Sequence, residues 1–136
     1  MITRMDHFTI VTDRLDVTRR FYTELLEMEE GPRPPFPVSG CWLYISQQAV
    51  LHVISVKEMP EPRRGVLDHM AFRAEGLVRT LNRLDAAGVS YRIIRAPGEL
   101  RTWQVFFTDP NGVEVELDFD PAESAPDDWA LRRRPI

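Results

Sequence analysis

The sequence predicts an α+β fold built from two tandem β-α-β-β-β modules. The main observation is an internal repeat, because self-similarity along a chain indicates duplicated structural units. Met5-Asp6-His7-Phe8-Thr9-Ile10 and Leu67-Asp68-His69-Met70-Ala71-Phe72 share the order apolar, Asp, His, apolar, small, apolar. Each stretch reads as a strand, and a helix-like run follows it from near Asp13 in the first half and near Glu75 in the second. The two halves therefore predict the same order of elements.

The first half begins with a predicted strand over 3–12. Asp13 is a predicted N-cap for a helix over 14–27, whose apolar residues follow helical spacing. Gly31-Pro32-Arg33-Pro34-Pro35 cannot form regular helix, because proline removes a donor and clashes with the preceding turn. We expect a loop or an irregular edge segment there. The remaining strands of this half are predicted over 41–45 and 49–56.

The second half repeats the scheme. Gly88 follows the predicted helix at a position where a left-handed cap favours glycine. Asp109-Pro110-Asn111-Gly112 is a strong hairpin-turn signal. The predicted elements are a strand over 66–74, a helix over 76–87, and strands over 89–95, 102–108 and 112–119.

These elements predict one domain over 1–120, followed by a loose tail over 121–136. Module one covers 1–56 and module two covers 66–120. The polar, proline-containing segment 57–65 reads as the linker between them. In the tail, Trp129 and Leu131 are candidate anchors on the body or on a partner subunit.

Composition bounds the class of protein. A chain of 136 residues is long enough for one ordinary domain or for two small modules sharing a core. A net charge of −4 argues against nucleic-acid binding, and the single cysteine, Cys41, excludes an intrachain disulfide. The sequence shows no signal-peptide region and no apolar stretch near the ~20 residues that span a bilayer. We therefore expect a cytoplasmic protein with no membrane or nucleic-acid partner.

All three histidines fall in the repeat. His7 and His69 are equivalent, and the same shift plus two residues lays His52 on Glu116. Since residues two apart on a strand share a face, these side chains can all lie on the face away from the helices. Imidazole and carboxylate groups suit Zn, Ni, Mn, Fe or Co. The sequence thus predicts a divalent-metal site, with Glu114 as the rival of Glu116.

The repeat, the segment Leu67–Phe72 and the segment Asp109–Leu117, which reads Asp-Pro-Asn-Gly-Val-Glu-Val-Glu-Leu, resemble the vicinal oxygen chelate superfamily. This superfamily includes glyoxalase I, methylmalonyl-CoA epimerase, fosfomycin-resistance transferases, extradiol dioxygenases and bleomycin-resistance proteins. The resemblance covers roughly residues 3–120. It implies a metal bound by His7, His69 and Glu116, with Glu116 rather than Glu114 as the ligand.

His52 is the position at which branches of the superfamily differ. Glyoxalase-like and epimerase-like members use a fourth ligand there, often Glu or Gln, whereas dioxygenase and fosfomycin-type members use three. His52 is therefore expected either as a fourth ligand or as an acid/base group beside a three-ligand metal. Arg73 shares a strand face with His69 and is a candidate for holding a substrate carboxylate or phosphate. Trp103 is a second candidate substrate contact.

The resemblance favours a glyoxalase- or epimerase-like lyase or isomerase acting on a small substrate with vicinal oxygens. The metal would stabilise an enediolate-like intermediate, and Glu116 or His52 would move the proton. One alternative is an extradiol ring-cleaving dioxygenase with Fe(II). Another is a metal-free protein that binds a drug or metabolite. Small members of the superfamily commonly dimerise, and open concave modules leave surface for a partner, so a homodimer is expected.

Overall fold

The computed structural model describes residues 1–132 and separates the chain into two compact units, Met1–Arg63 and the part from Arg64 onward. The boundary falls inside the segment 57–65 that the sequence predicts as the linker. Each unit holds a four-stranded mixed sheet and a helix, so the predicted α+β class with two β-α-β-β-β modules is confirmed. The end of the predicted tail, 133–136, lies outside the described residues.

The first unit places its first strand beside its last. The elements are β1 (Phe8–Thr12), α1 (Leu15–Arg20), β2 (Glu29–Gly31), β3 (Gly40–Ile45) and β4 (Gln48–Ser55). The order across the sheet is β1-β4-β3-β2, with β1 parallel to β4 and the other neighbours antiparallel. Because of this order, side chains from the two ends of the module lie next to each other.

The helix of the first unit is shorter than predicted. Its α-helical part has six residues and continues as a π-helical turn over Phe21–Leu25, where the sequence predicts one helix over 14–27. The prediction that Asp13 caps this helix is wrong, since no side chain caps its N-terminus. The Thr12 hydroxyl instead accepts a hydrogen bond from the Arg14 amide at 3.0 Å. The turn after β1 is thus held by the last residue of the strand.

The proline-rich segment follows a short edge strand. β2 ends at Gly31, which pairs with Trp42. A Cβ atom on Gly31 would lie 2.6 Å from the Tyr44 ring, so any other residue here would displace that ring. The Tyr44 hydroxyl donates to the Pro32 carbonyl at 2.6 Å and fixes the start of the loop. Prolines are tolerated here because they lie beyond the hydrogen-bonded ladder.

The second unit has the same topology. Its elements are β5 (His69–Arg73), α2 (Leu77–Ala86), β6 (Tyr91–Arg95), β7 (Trp103–Thr108) and β8 (Glu114–Phe119). The strand order is β5-β8-β7-β6, with β5 parallel to β8. Each predicted element is present, and its ends differ from the prediction by at most three residues. No helix among residues 1–132 is long and apolar enough to cross a bilayer.

The predicted glycine cap of α2 is confirmed. Gly88 has a φ of 67°. Its amide donates to the Asp85 carbonyl at 3.1 Å, and the Val89 amide donates to the Leu84 carbonyl at 2.9 Å. These two bonds form a Schellman motif, which satisfies carbonyls that the helix end would leave unpaired.

The turn between β7 and β8 is also confirmed. One carboxylate oxygen of Asp109 accepts from the amides of Asn111 at 2.8 Å and Val113 at 2.9 Å. Gly112 has a φ of 93°, which a β-carbon would make costly. The turn fixes the register of β8, and so decides which of its residues face the candidate site.

The described part of the tail packs on the second unit instead of lying loose. The Trp129 ring meets the Trp103 ring edge to face at 5.1 Å. The Trp103 indole donates to the Glu123 carbonyl at 2.9 Å, and the Glu123 carboxylate accepts from the Leu77 amide at 2.7 Å. Trp129 therefore anchors the tail on its own chain, whereas Leu131 is exposed.

Candidate metal centre

The two parallel strand pairs place His52 and Glu116 at equivalent positions. His52 pairs with Thr9 on β1, and Glu116 pairs with Ala71 on β5. Thr9 and Ala71 each lie two residues after the histidine of their repeat. The equivalence predicted by shifting the sequence is therefore confirmed by the register of both sheets.

In the second unit, His69 lies between two carboxylates. Its Nδ1 is 2.8 Å from Asp68 Oδ2, and its Nε2 is 2.8 Å from Glu116 Oε2. In the neutral ring with the proton on Nδ1, Asp68 accepts that proton's hydrogen bond and Nε2 presents a lone pair towards Glu116. A carboxylate behind a histidine fixes the tautomer and orientation of metal-ligating imidazoles. Asp68 therefore orients the His69 ring so that its Nε2 atom is available to bind a metal ion.

His69 and Glu116 lie close enough together to act as ligands of one divalent cation. Two ligand atoms about 2.1 Å from one tetrahedral ion lie about 3.4 Å apart. The observed Nε2–Oε2 distance of 2.8 Å is that of a direct hydrogen bond. An imidazole and a carboxylate could thus bind one ion if these two atoms moved apart by about 0.6 Å.

Glu116 is a buried acid whose charge lacks full compensation. It is 5% exposed. Gln104 donates to both Glu116 and Asp118, so the two acids share one amide. Burial raises the pKa of Glu116, and the neighbouring Asp118 raises that pKa further. His69 and Gln104 lower the pKa without reversing the rise, so the pocket still favours added positive charge.

Glu114, the rival ligand, already has cationic partners. Arg64 donates to its carboxylate, and Arg92 lies 3.6 Å from its other oxygen. Arg92 also stacks over the Phe106 ring at 4.5 Å, which holds it in place. The two neighbouring acids of β8 are therefore in different environments: Glu114 is paired with arginines, whereas Glu116 lies 2.8 Å from an imidazole nitrogen.

In the first unit the candidate residues form a stack of rings. The His7 and His52 ring centroids are 3.8 Å apart with an interplanar angle of 17°. The other face of His52 lies on Trp42, at 4.0 Å and 7°. Burial lowers the pKa of His52, and the nearby His7 lowers it further. Asp6 Oδ2 lies 3.2 Å from His7 Nδ1, which repeats the arrangement of Asp68 and His69.

The stack prevents His7 and His52 from binding one ion as they stand. A nitrogen lone pair lies in the plane of its ring, so an ion must lie close to that plane. An ion midway between the two rings would be about 1.9 Å out of each plane, nearly the whole metal–nitrogen bond of about 2.0–2.1 Å. His7, which Asp6 orients, is the better placed donor.

A groove of about 1040 Å³ opens beside this stack in the first unit. Its walls combine flat rings with guanidinium groups. The lining includes Arg4, Arg33, Phe36, Trp42 and His52.

The two predicted substrate contacts lie in different places. Arg73 is exposed and shares a strand face with His69, as predicted. Trp103 is 8% exposed, pairs in register with Phe119 and faces away from Glu116. Its indole group is occupied by the Glu123 carbonyl. We therefore leave Trp103 out of the proposed site.

Each unit supplies two of the four predicted ligands. The first brings His7 and His52 together, and the second brings His69 and Glu116 together. Within residues 1–132, no group of three or more His, Cys, Asp or Glu side chains is assembled to hold an ion.

The sequence did not lead us to expect three features of the site. Asp6 and Asp68 orient the two repeat histidines, Gln104 donates to two acids of β8, and Trp42 stacks on His52. The repeated Asp-His dipeptide was a signal for the first. Strand alternation opposite Asp118 was a signal for the second.

The fold is that of a known superfamily. The model of the glyoxalase/bleomycin resistance protein/dioxygenase superfamily matches residues 4–117. The chain belongs to this superfamily, which confirms the resemblance found in the sequence. No curated protein shows significant sequence similarity to the chain.

Solved structures show the same fold at low identity. A Bacillus anthracis protein assigned to the glyoxalase family is 22% identical, with a TM-score of 0.72 over 88% of this chain and 97% of that one. The fosfomycin resistance protein FosX from Listeria monocytogenes is 19% identical, with a TM-score of 0.70 over 87% and 92%. Lactoylglutathione lyase from Agrobacterium tumefaciens is 20% identical, with a TM-score of 0.66 over 91% and 98%. At these identities the likeness shows a shared fold.

The pKa shifts predict how the histidines titrate in the metal-free protein. The hydrogen bond that His69 donates to Asp68 raises the pKa of His69 against the opposing effect of burial, and Glu116 adds to the rise. Asp68→Asn should therefore lower the pKa of His69 and leave His52 below its usual range. The interaction of protonated His69 with Asp68 and Glu116 stabilises the fold fully below the unfolded-state pKa of histidine. This stabilisation is lost as the pH rises through the raised pKa of His69.

NMR titration of the ring protons measures both values, with Asp16→Asn on α1 as a control. A pKa of His69 that is unchanged in Asp68→Asn would contradict the orienting role of Asp68.

Proposed function

We propose that the protein is a divalent-metal enzyme that acts as a lyase or isomerase on a small substrate with vicinal oxygens. The observation that carries the proposal is the facing pair of His69 and Glu116, with Asp68 fixing the imidazole from behind. Membership in the superfamily supports the class of chemistry. Zn, Ni, Co, Mn and Fe all suit the donor set.

The proposed ligands are His7 from the first module and His69 and Glu116 from the second. They would be combined within one chain or between the subunits of a homodimer. A divalent ion so held polarises a bound carbonyl or hydroxyl and lowers the barrier to removing a neighbouring proton. Glu114 already interacts with Arg64 and Arg92, and this supports Glu116 as the carboxylate ligand.

We assign His52 the role of acid/base group rather than fourth ligand. Its lowered pKa keeps the ring neutral near pH 7, so that it can accept a proton. The rings of His7 and Trp42 hold it from both faces and leave only its edge for proton exchange. Glu116, as a ligand, would then be a second and less available proton acceptor.

One observation favours a second candidate, an extradiol dioxygenase with Fe(II). The flat rings beside His7 suit an aromatic substrate, and three ligands are what the resemblance implies for that branch. Metal analysis of the purified protein separates the two candidates. Iron with substrate-dependent oxygen uptake would favour the dioxygenase, and nickel, zinc, cobalt or manganese the lyase or isomerase.

The ligand set predicts which variants lose metal. His69→Ala and Glu116→Gln should each weaken binding by more than the ~10–100-fold loss seen when only supporting groups are removed. Glu114→Gln is the matched control, because it changes a neighbouring acid of the same strand and should retain metal. Equilibrium dialysis with elemental analysis measures the affinities. Full occupancy in His69→Ala would sink the proposed site.

A second matched pair tests the roles of the stacked histidines. His7→Gln should release the metal, whereas His52→Gln should keep its affinity within about threefold and lower turnover by roughly 10²–10⁴. The reason is that only His7 is proposed to bind the ion. Equal loss of metal in both variants would make His52 a ligand and reject the acid/base assignment.

A homodimer is the third expectation, since the proposed ligands are divided between the two modules. Light scattering with size-exclusion chromatography should give twice the chain mass of 15.8 kDa. A single species of 15.8 kDa across the micromolar range would contradict it.

A further inference from the structure

The groove of the first unit has walls of flat rings in sequence. His7, His52 and Trp42 are stacked, and the Phe36 ring lies 6.1 Å from Trp42 at 44°. The Arg33 guanidinium lies over the Phe36 ring, 5.1 Å from its centroid. These groups form a row, which we call the ring row.

The ring row is open at one step. Adjacent members from His7 to Trp42 are in van der Waals contact, whereas Trp42 and Phe36 are neither parallel nor at stacking distance. Two parallel rings that hold a third between them lie about 7 Å apart, because each stacked contact takes about 3.5 Å. Phe36 is 51% exposed and lies in the proline-rich loop, so rotating it would create that space.

The groove carries more positive than negative charge. Arg4 and Arg33 line the groove, and the acid that also lines it, Asp6, is hydrogen-bonded to His7. Arg33 uses one nitrogen to donate to the Val38 carbonyl at 2.8 Å. Since a guanidinium has five N–H donors, others are left for a ligand carboxylate, which binds in bidentate fashion.

We propose that this groove binds a flat aromatic anion, with its ring between Trp42 and Phe36 and its carboxylate on Arg33. The inference deepens the proposed function by naming a substrate class, and rests on it only in taking the groove as the substrate site. The groove volume of about 1040 Å³ is at the upper end of the range for small-molecule pockets. A saturated ring of the same charge has no flat π face to stack on Trp42 and Phe36.

The test is calorimetric titration of the chelator-treated full-length protein with three probes. These are 2-naphthoate, cyclohexanecarboxylate and 2-naphthamide, which separate flatness from charge. The naphthoate should bind at least about tenfold more tightly than the saturated acid, because only a flat ring can stack on both sides. The neutral amide should also bind more weakly than the naphthoate, because it cannot pair with Arg33.

Two exposed or half-buried side chains provide the variants, so that loss of folding does not obscure the result. Phe36→Ala should weaken naphthoate binding about threefold to tenfold, and Leu100→Ala, an exposed apolar residue outside the groove, should not. Arg33→Gln should weaken the naphthoate but not the amide, with Arg20→Gln on α1 as its control.

Equal affinity for all three probes, or naphthoate binding unchanged in Phe36→Ala and Arg33→Gln, would overturn the inference. A protein that retains its metal yet fails to bind naphthoate refutes the groove and leaves the proposed function standing. If the protein has no affinity for metal, but naphthoate binds and the Phe36 and Arg33 variants weaken its binding as expected, the groove proposal stands and the proposed function is refuted.

Discussion

The parallel pairing of the first strand with the last is the constraint on which each module depends. It joins residues that are far apart in sequence, and its register decides which side chains face one another. In both modules the residue two places after the repeat histidine lies opposite the donor position of the last strand. A shift of one residue would turn that donor to the other face of the sheet. Features that fix the register, such as the turn at Asp109, therefore act on the site from a distance.

One register supports two different chemistries, because the side chain at the donor position differs. The Glu116 carboxylate reaches past its own strand to the Nε2 atom of His69. The imidazole of His52, at the equivalent place, is a flat plate and gains more from contact with the rings on both sides. Repetition of the backbone thus places two donors, and local packing decides how each is used. This is why repeat symmetry alone is a weak guide to the role of His52.

Most of the helices, strands and turns could be predicted from the sequence, since they depend on local patterns. Strand alternation, the Asp109–Gly112 turn and the cap at Gly88 each have a short-range cause. The site was less predictable where remote residues decide the outcome. Arg64, fifty positions before Glu114, is what distinguishes the environment of that acid from that of its neighbour. The stacking of Trp42 on His52 likewise depends on cross-strand register and rotamer, which the sequence of either strand leaves open.

The identity of residue 52 also affects the charge of the groove in the first unit. A glutamate there would match its repeat partner, but it would bring a negative charge beside the rings and near Arg33. A histidine whose pKa burial holds below the usual range brings none near neutral pH. The guanidinium groups of Arg4 and Arg33 then keep their attraction for an anion. The acid-rich face of the second module suits a cation and the arginine-lined groove of the first suits an anion, so a neutral His52 preserves a division of charge that a second glutamate would weaken.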